Sequence, residues 1–290
     1  MPDGLRRVML DRGATLVFAR GAELYAVDAS LAQLLADGRE NVHDAVDRAL
    51  QNEPVTGTGE LLTPVDEQEV WASGVTYRRS ATARVEESSV GDVYELVYAA
   101  QRPELFLKAP AWRVPAPGAP LRIRGDSEWD VPEPELALVI DAHGEIVGYL
   151  VADDVSSRSI EGANPLYLPQ AKIYDDSLGL SGTIVLARDA GDVTSAAIEL
   201  EIHRAGDRVF EGATSVAEMK RAFEELVDAL FAELAHPAGA VLLTGTGVVP
   251  PDEFTLHDGD RVRIAIDGVD VLEHDIYRKG ATGHGQDADR

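Results

Sequence analysis

The sequence predicts a β-rich α+β fold with a small α/β unit at its N-terminus. Three observations predict it. Short apolar runs bounded by Gly, Asp and Pro recur after residue 66. Strand-like and helix-like segments do not alternate regularly, which argues against a doubly wound parallel sheet. Only one long stretch carries a strong helical period.

In chain order, Thr15–Ala19 and Glu23–Val27 read as short strands separated by Gly21. Asp28 or Ser30 can cap a helix running through Leu34 and Leu35, and Val42 to Leu50 repeats apolar residues at helical spacing. Pro54, Gly57 and Gly59 mark a loop, so residues 1–66 are expected to form the small unit and 67–280 the β-rich one. Within the latter, Leu136–Ile140 is an apolar run closed by the turn Asp141-Ala-His-Gly144, with Ile146–Val151 as its hairpin partner. Further strands are expected at 183–187, 197–203, 240–243, 262–266 and 269–273, with Asp267-Gly268 as the turn between the last two. One amphipathic helix is expected over Ser215–Leu234, with Val216, Met219, Phe223, Leu226, Val227 and Leu230 on its packing face. The Gly-, Asp- and His-rich residues 281–290 read as a disordered tail.

Composition narrows the function. Fifty-one acidic residues against twenty-six basic ones give a net charge of −25, a surface that repels phosphate backbones and argues against nucleic-acid binding. No apolar run reaches the length of a membrane-spanning helix, and no signal-peptide core is visible, so a cytoplasmic protein is expected. Without cysteine there are no thiolate ligands, thiol nucleophiles or disulfides. Depleted lysine with abundant Asp and Glu fits a salt-adapted proteome and a GC-rich genome that favours Arg codons equally well. Only four lysines remain (Lys108, Lys172, Lys220 and Lys279), so each invites an explanation.

The segment Glu133-Pro-Glu135 enters the first strand of the hairpin. Residues two apart on a strand face the same way, so the two carboxylates sit together and repel unless a proton or a cation joins them. The partner strand ends at Asp153-Asp154, where the chain returns beside the pair. A third carboxylate there would complete a three-oxygen face for a hard cation such as Mg²⁺ or Mn²⁺. Acidic residues that end an apolar strand also form turns, and spacing leaves both readings open. Lys172, set among apolar and aromatic neighbours, would have a lowered pKa near a cation and could act as a base; an isolated lysine can equally snorkel to the surface.

Taken together, six blocks resemble the fumarylacetoacetate hydrolase family over roughly residues 68–275. In order they are Ala72-Ser-Gly-Val-Thr-Tyr77, Arg102-Pro-Glu-Leu-Phe-Leu-Lys108, Glu133-Pro-Glu135, Asp154-Val-Ser-Ser-Arg158, Gln170-Ala-Lys-Ile-Tyr-Asp175 and Leu243-Thr-Gly-Thr246. The resemblance implies a mixed β-sandwich or β-roll, assembled as homodimers or homotetramers. It implies Glu133, Glu135 and Asp154, rather than Asp153, as ligands of Mg²⁺ or Mn²⁺, with Lys172 as the catalytic lysine. It puts Arg158 near the site, where it binds substrate or only neutralises Asp153 and its neighbours, and has Thr246 seat a substrate carboxylate. Thr76 and Tyr77 are expected either to line the site or to be ordinary strand-end residues.

One departure and one further likeness sharpen the reading. Ser80 stands where C–C-cleaving members carry a water-activating histidine, and the only histidine before Asp126 is His43. The stretch Gly162-Ala-Asn-Pro-Leu-Tyr-Leu-Pro-Gln-Ala-Lys172 looks like the branch that dehydrates five-carbon 2-keto-3-deoxy sugar acids, in which Glu104 would approach the substrate. The expected activity is therefore metal-dependent dehydration of a 2-keto-3-deoxypentonate (arabinonate or xylonate) to 2,5-dioxopentanoate, with Lys172 as base and Glu104 as acid. The competing readings are an acylpyruvate hydrolase, an oxaloacetate decarboxylase and a non-catalytic 2-keto acid binding protein.

Overall fold

A computed structural model gives the architecture. It describes residues 1–11, 13–55, 59–78 and 92–280, with side chains in the helix beginning at Asp92 described from residue 96 onward. Gly57, Ser80 and the expected tail lie outside the described residues.

The N-terminal segment forms β1 (Gly4–Leu10), β2 (Gly13–Arg20), β3 (Glu23–Ala26), helices α1 (Leu31–Asp37) and α2 (Arg39–Ala49), and β4 (Glu60–Leu61). The four strands make an antiparallel sheet in the order β3-β2-β1-β4. Ser30, rather than Asp28, caps α1: its side chain accepts from Gln33 N while the Gln33 side chain accepts from Ser30 N, a reciprocal capping box.

There follow β5 (Glu69–Gly74), α3 (Asp92–Ala99), β6 (Glu104–Pro110), β7 (Leu121–Ile123), β8 (Asp130–Val131), β9 (Pro134–Ile140), β10 (Ile146–Asp154) and β11 (Ser156–Ser157). Next come α4 (Arg158–Ala163), α5 (Leu168–Lys172), β12 (Leu178–Leu180), β13 (Val185–Leu186), β14 (Ala197–Arg204), β15 (Asp207–Ser215), α6 (Phe223–Phe231), β16 (Ala240–Leu243), β17 (Arg261–Ile266) and β18 (Val271–Arg278). One sheet runs β12-β10-β9-β16-β5-β6, with β13 also on β10; another runs β15-β14-β17-β18-β7. Each has a single parallel pair, β16 with β5 and β18 with β7, so both sheets are mixed. A short β8-β11 ribbon stands apart.

β9 explains its own lack of polar alternation: every residue from Pro134 to Ile140 is buried. Leu136, Leu138 and Ile140 pack with Ile198, Leu200 and Ile264 between the two mixed sheets. Ala137 and Val139 pack on the opposite face with Val70, Leu150, Leu5, Leu31 and Leu35, so the N-terminal unit shares a core with this sheet. The expected β-rich α+β architecture is therefore the observed one, a two-sheet sandwich with the small unit against its outer face. Among the described residues no helix is long and apolar enough to cross a membrane.

Three elements differ from expectation. The strand expected over 269–273 runs Val271–Arg278. The helix expected over Ser215–Leu234 is confined to Phe223–Phe231. Ser215 ends β15, its side chain caps a 3₁₀ turn at Val216–Glu218, and Met219 is extended. Lys220 N donates to Thr76 O and Met219 bridges Tyr77, so tertiary pairing claims the segment that helical spacing suggested. The apolar face is still used: Val216, Phe223, Leu226, Val227 and Leu230 are all buried. Of the strand expected over 183–187, only Val185–Leu186 pairs with β10, while Ile184 makes a bridge to Leu5.

Candidate active site

The site forms at one end of the β12-β10-β9-β16-β5-β6 sheet, and strand parity decides which side chains reach it. Glu135 shares a face of β9 with Ala137 and Val139. On β10, Leu150 and Ala152 lie on that same face and Asp154 continues it, whereas Val151 and Asp153 face the other sheet. The register pairs Ala152 with Glu135, and Asp154 N donates to Glu133 O at 3.0 Å. Carboxylate oxygens of Glu133, Glu135 and Asp154 consequently lie within 4.8 Å of one another, with all three residues buried. Asp153 turns away. Its Oδ2 lies 2.8 Å from His274 Nε2 and its Oδ1 accepts from Glu133 N at 2.9 Å.

Lys172, the last residue of α5, does not snorkel. It is 2 % exposed, and its Nζ donates to Glu133 Oε2 at 2.7 Å and to Asp154 Oδ2 at 3.1 Å. Arg158, the first residue of α4, lies with Nη2 3.1 Å from Glu133 Oε1. Ser157 caps that helix by accepting from Ile160 N, which fixes where the arginine starts.

Glu104 opens β6, directly across from Gly74 of β5, and with Glu133, Glu135, Asp154, Lys172 and Thr246 it lines one cavity. The missing Cβ at Gly74 lets the Glu104 carboxylate lie against the β5 backbone, and a side chain there would displace it. Gly245, at φ +92°, turns its N–H onto Glu135 Oε2 at 2.6 Å, in a backbone conformation that L side chains rarely adopt. Thr246 Oγ1 donates to Val248 O at 3.2 Å and sits in the cavity wall.

Thr76 and Tyr77 stand behind the wall. Thr76 Oγ1 donates to Thr244 O at 2.6 Å, tying the β5 exit to the β16 exit. Tyr77 is buried, and burial first, then the Glu135 charge, pushes its phenol well above the ordinary range. Ser80, the expected replacement for a histidine, is outside the described residues. His257 is exposed and His274 is buried.

Sequence reasoning passed over two groups. Glu161, three residues after Arg158 on α4, is 1 % exposed and lines the cavity; its helical offset from Arg158 was the available signal. Lys108, fully buried, lies 2.5 Å from Asp154 Oδ1 and also donates to Lys172 O and Val155 O. Its signal was its scarcity, as one of four lysines.

The charges suit a divalent cation. Glu104, Glu133, Glu135, Asp154 and Glu161 bring five carboxylates, while Lys108, Lys172 and Arg158 bring three cations. Burial, then the charges of Asp154 and Glu133, push the Glu135 carboxyl well above its usual range, against the pull of Lys172 and the Gly245 N–H. A buried carboxylate that resists ionisation, beside two more oxygens at ligand spacing, matches the donor set of a hard cation such as Mg²⁺ or Mn²⁺.

The chain is similar to known proteins. The profile of the fumarylacetoacetate (FAA) hydrolase C-terminal family matches residues 69–277. The chain is 45% identical over 251 residues to a probable 2-keto-3-deoxyxylonate dehydratase of Haloferax volcanii, covering 87% of this chain and 83% of the relative. It is 42% identical over 217 residues to a 2-dehydro-3-deoxy-D-arabinonate dehydratase of Saccharolobus solfataricus, covering 73% and 72%. A solved structure of 2-keto-3-deoxy-D-arabinonate dehydratase complexed with magnesium and 2,5-dioxopentanoate superposes with a TM-score of 0.80 at 32% identity, over 95% of this chain and 99% of that one. With its sheet order, its buried carboxylate triad and a profile match across most of its length, the chain belongs to the fumarylacetoacetate hydrolase family.

Proposed function

We propose that the protein is a hydro-lyase that dehydrates a 2-keto-3-deoxypentonate, of the arabinonate or xylonate type, to 2,5-dioxopentanoate. The observation that carries this reading is Lys172 Nζ, held between Glu133 and Asp154 in a cavity whose wall also presents Glu104. The dehydratases that resemble the chain, and the magnesium and product in the solved complex, support it.

Glu133, Glu135 and Asp154 would hold Mg²⁺ or Mn²⁺, which when bound supplies an electrophile for the C1 carboxylate and C2 carbonyl oxygen and so acidifies the C3 proton. Lys172 takes that proton at Nζ. Glu104 gives a proton to the C4 hydroxyl as the C4–O bond breaks, so that water leaves and a C3–C4 double bond forms. Moving a proton from C5 to C3 then shifts the double bond to C4–C5, and transfer of the resulting enol's hydroxyl proton to C4 yields the C5 aldehyde. Thr246 seats the substrate carboxylate, and Gly245 orients Glu135 through its N–H. Arg158 neutralises Glu133, with Thr76 and Tyr77 supporting the wall. Acid–base groups positioned in this way contribute about 10²–10⁴-fold each.

The same reading takes the assembly as a homodimer or homotetramer, which light scattering on the purified chain tests. The activity is tested by incubating the protein with Mg²⁺ and 2-keto-3-deoxyxylonate or -arabinonate and assaying 2,5-dioxopentanoate. Failure with both sugar acids alongside turnover of an acylpyruvate would overturn it.

A further inference from the structure

The surroundings of the site contain a group that the proposed reaction does not use. Lys108 lies on β6 where the pairing with β5 shifts register, between Leu107 and Ala109, and it does not line the cavity. It is fully buried and close to three acceptors: Asp154 Oδ1 at 2.5 Å, Lys172 O at 2.5 Å and Val155 O at 3.3 Å. An ammonium carries three N–H donors and no acceptor; Lys108 donates to the two carbonyls, and its charge pairs with Asp154. A buried lysine is costly unless paired and hydrogen-bonded, and here the partners belong to the two segments that matter for the chemistry. Asp154 ends β10, and the Lys172 carbonyl belongs to the residue that closes α5. Ser177 Oγ donates to the same carbonyl at 2.9 Å, so the end of α5 is held from two sides.

We propose that Lys108 is a positioning residue for this reaction: it holds the Asp154 carboxylate through Oδ1, while Lys172 Nζ meets Oδ2, and it fixes the α5 terminus so that Lys172 Nζ enters the cavity. This rests on the reading of Asp154 as a metal ligand and Lys172 as the base. Lys108 acts through both and touches neither substrate nor cation. The sequence feature is the lysine at the end of Arg102-Pro-Glu-Leu-Phe-Leu-Lys108, a block whose glutamate the reaction uses and whose lysine it does not.

The test compares Lys108→Met and Lys108→Arg with the wild type, using calorimetric Mn²⁺ titration without substrate and steady-state kinetics at saturating Mg²⁺. A misplacement of catalytic groups by about 1 Å costs about 10²-fold in rate. Lys108→Met is therefore expected to lower kcat by about 10²-fold with KM within threefold. It is expected to bind Mn²⁺ at least as tightly as the wild type, because the cation competing for Asp154 is gone. Lys108→Arg, which keeps the charge but not the point geometry of the ammonium, is expected to lower kcat by about 10-fold.

Wild-type kcat in either folded variant overturns the proposal. A rise in KM at unchanged kcat, or Mn²⁺ affinity lost in step with kcat, overturns it too, since these would make Lys108 a substrate contact or a mere prop of the metal site. If Lys108→Met does not fold, Lys108→Arg decides alone. Lys172→Gln run in parallel separates this inference from the reading beneath it: full activity there removes Lys172 as the base. In the double variant Lys108→Met/Lys172→Gln, the residual rate is expected to match that of Lys172→Gln alone, whereas a structural role would subtract from both backgrounds.

Discussion

His274 Nε2 lies 2.8 Å from Asp153 Oδ2, and both residues are buried, on the face of β10 opposite the Asp154 carboxylate. The pair spans the two mixed sheets, and through Asp153 Oδ1 it also receives Glu133 N at 2.9 Å. Two adjacent aspartates therefore do different work because strand parity sends one to a histidine and the other to the cavity. Removing the histidine leaves Asp153 buried and short of a partner. His274→Ala is expected to lower the unfolding free energy by about 2–3 kcal/mol, read from urea midpoints. An unchanged midpoint would mean that Asp153 needs no partner there.

Glu135 tests the metal assignment directly. Loss of an outer-shell partner typically costs 10–100-fold in metal affinity, so Glu135→Gln, which removes a ligand charge, is expected to weaken Mn²⁺ binding by at least about 10²-fold and to lower activity with it. Titration calorimetry measures the first and product formation the second. Retention of both would remove Glu135 from the ligand set.

Lys172 and Glu104 are expected to separate chemistry from metal binding. Lys172→Gln and Glu104→Gln should each lower kcat by about 10²–10⁴-fold while Mn²⁺ still binds. Solvent-deuterium exchange at C3 distinguishes them, because a missing base abolishes exchange and a missing acid does not. Exchange persisting in Lys172→Gln would move the base elsewhere.

Gly245→Ala probes the donor on Glu135. The φ of +92° is strained for alanine, and its Cβ would collide with Thr76 Oγ1. Displacing the Gly245 N–H from Glu135 is expected to lower kcat by about 10²-fold. Thr76→Ala, combined with it, should restore part of the rate by clearing the Cβ. No recovery in the double variant would place the damage in the backbone strain alone.

Alkaline pH should unfold the chain through its buried phenols. Burial is the leading cause that raises Tyr77, Tyr149, Tyr174 and Tyr277 above the ordinary value of 10.0. Above that value the unfolded chain has released these protons while the folded one retains them. The native state then binds more protons, and stability falls as pH rises. The urea midpoint is expected to drop between about pH 9 and pH 11, with tyrosinate absorbance rising together with unfolding. A flat midpoint across that range would contradict the burial account.

By itself the sequence determined the features whose causes are local. A helix start at Asp28 or Ser30, the turns at Asp141–Gly144 and Asp267-Gly268, and the apolar run of β9 follow from neighbouring residues, and the period of two already put Glu133 and Glu135 on one side. The ordered family blocks pointed to Asp154 and Lys172 but carried no distances. Only the tertiary structure decided why Asp154 faces the cavity, because the core on each side of β10 sets the parity. It alone joined Lys108 to Asp154 and His274 to Asp153, groups from strands far apart in the chain whose pairing no local pattern encodes. It also cut the expected helix to Phe223–Phe231, since the bonds that Thr76 and Tyr77 make to residues 219–220 outweigh a weak local helical preference.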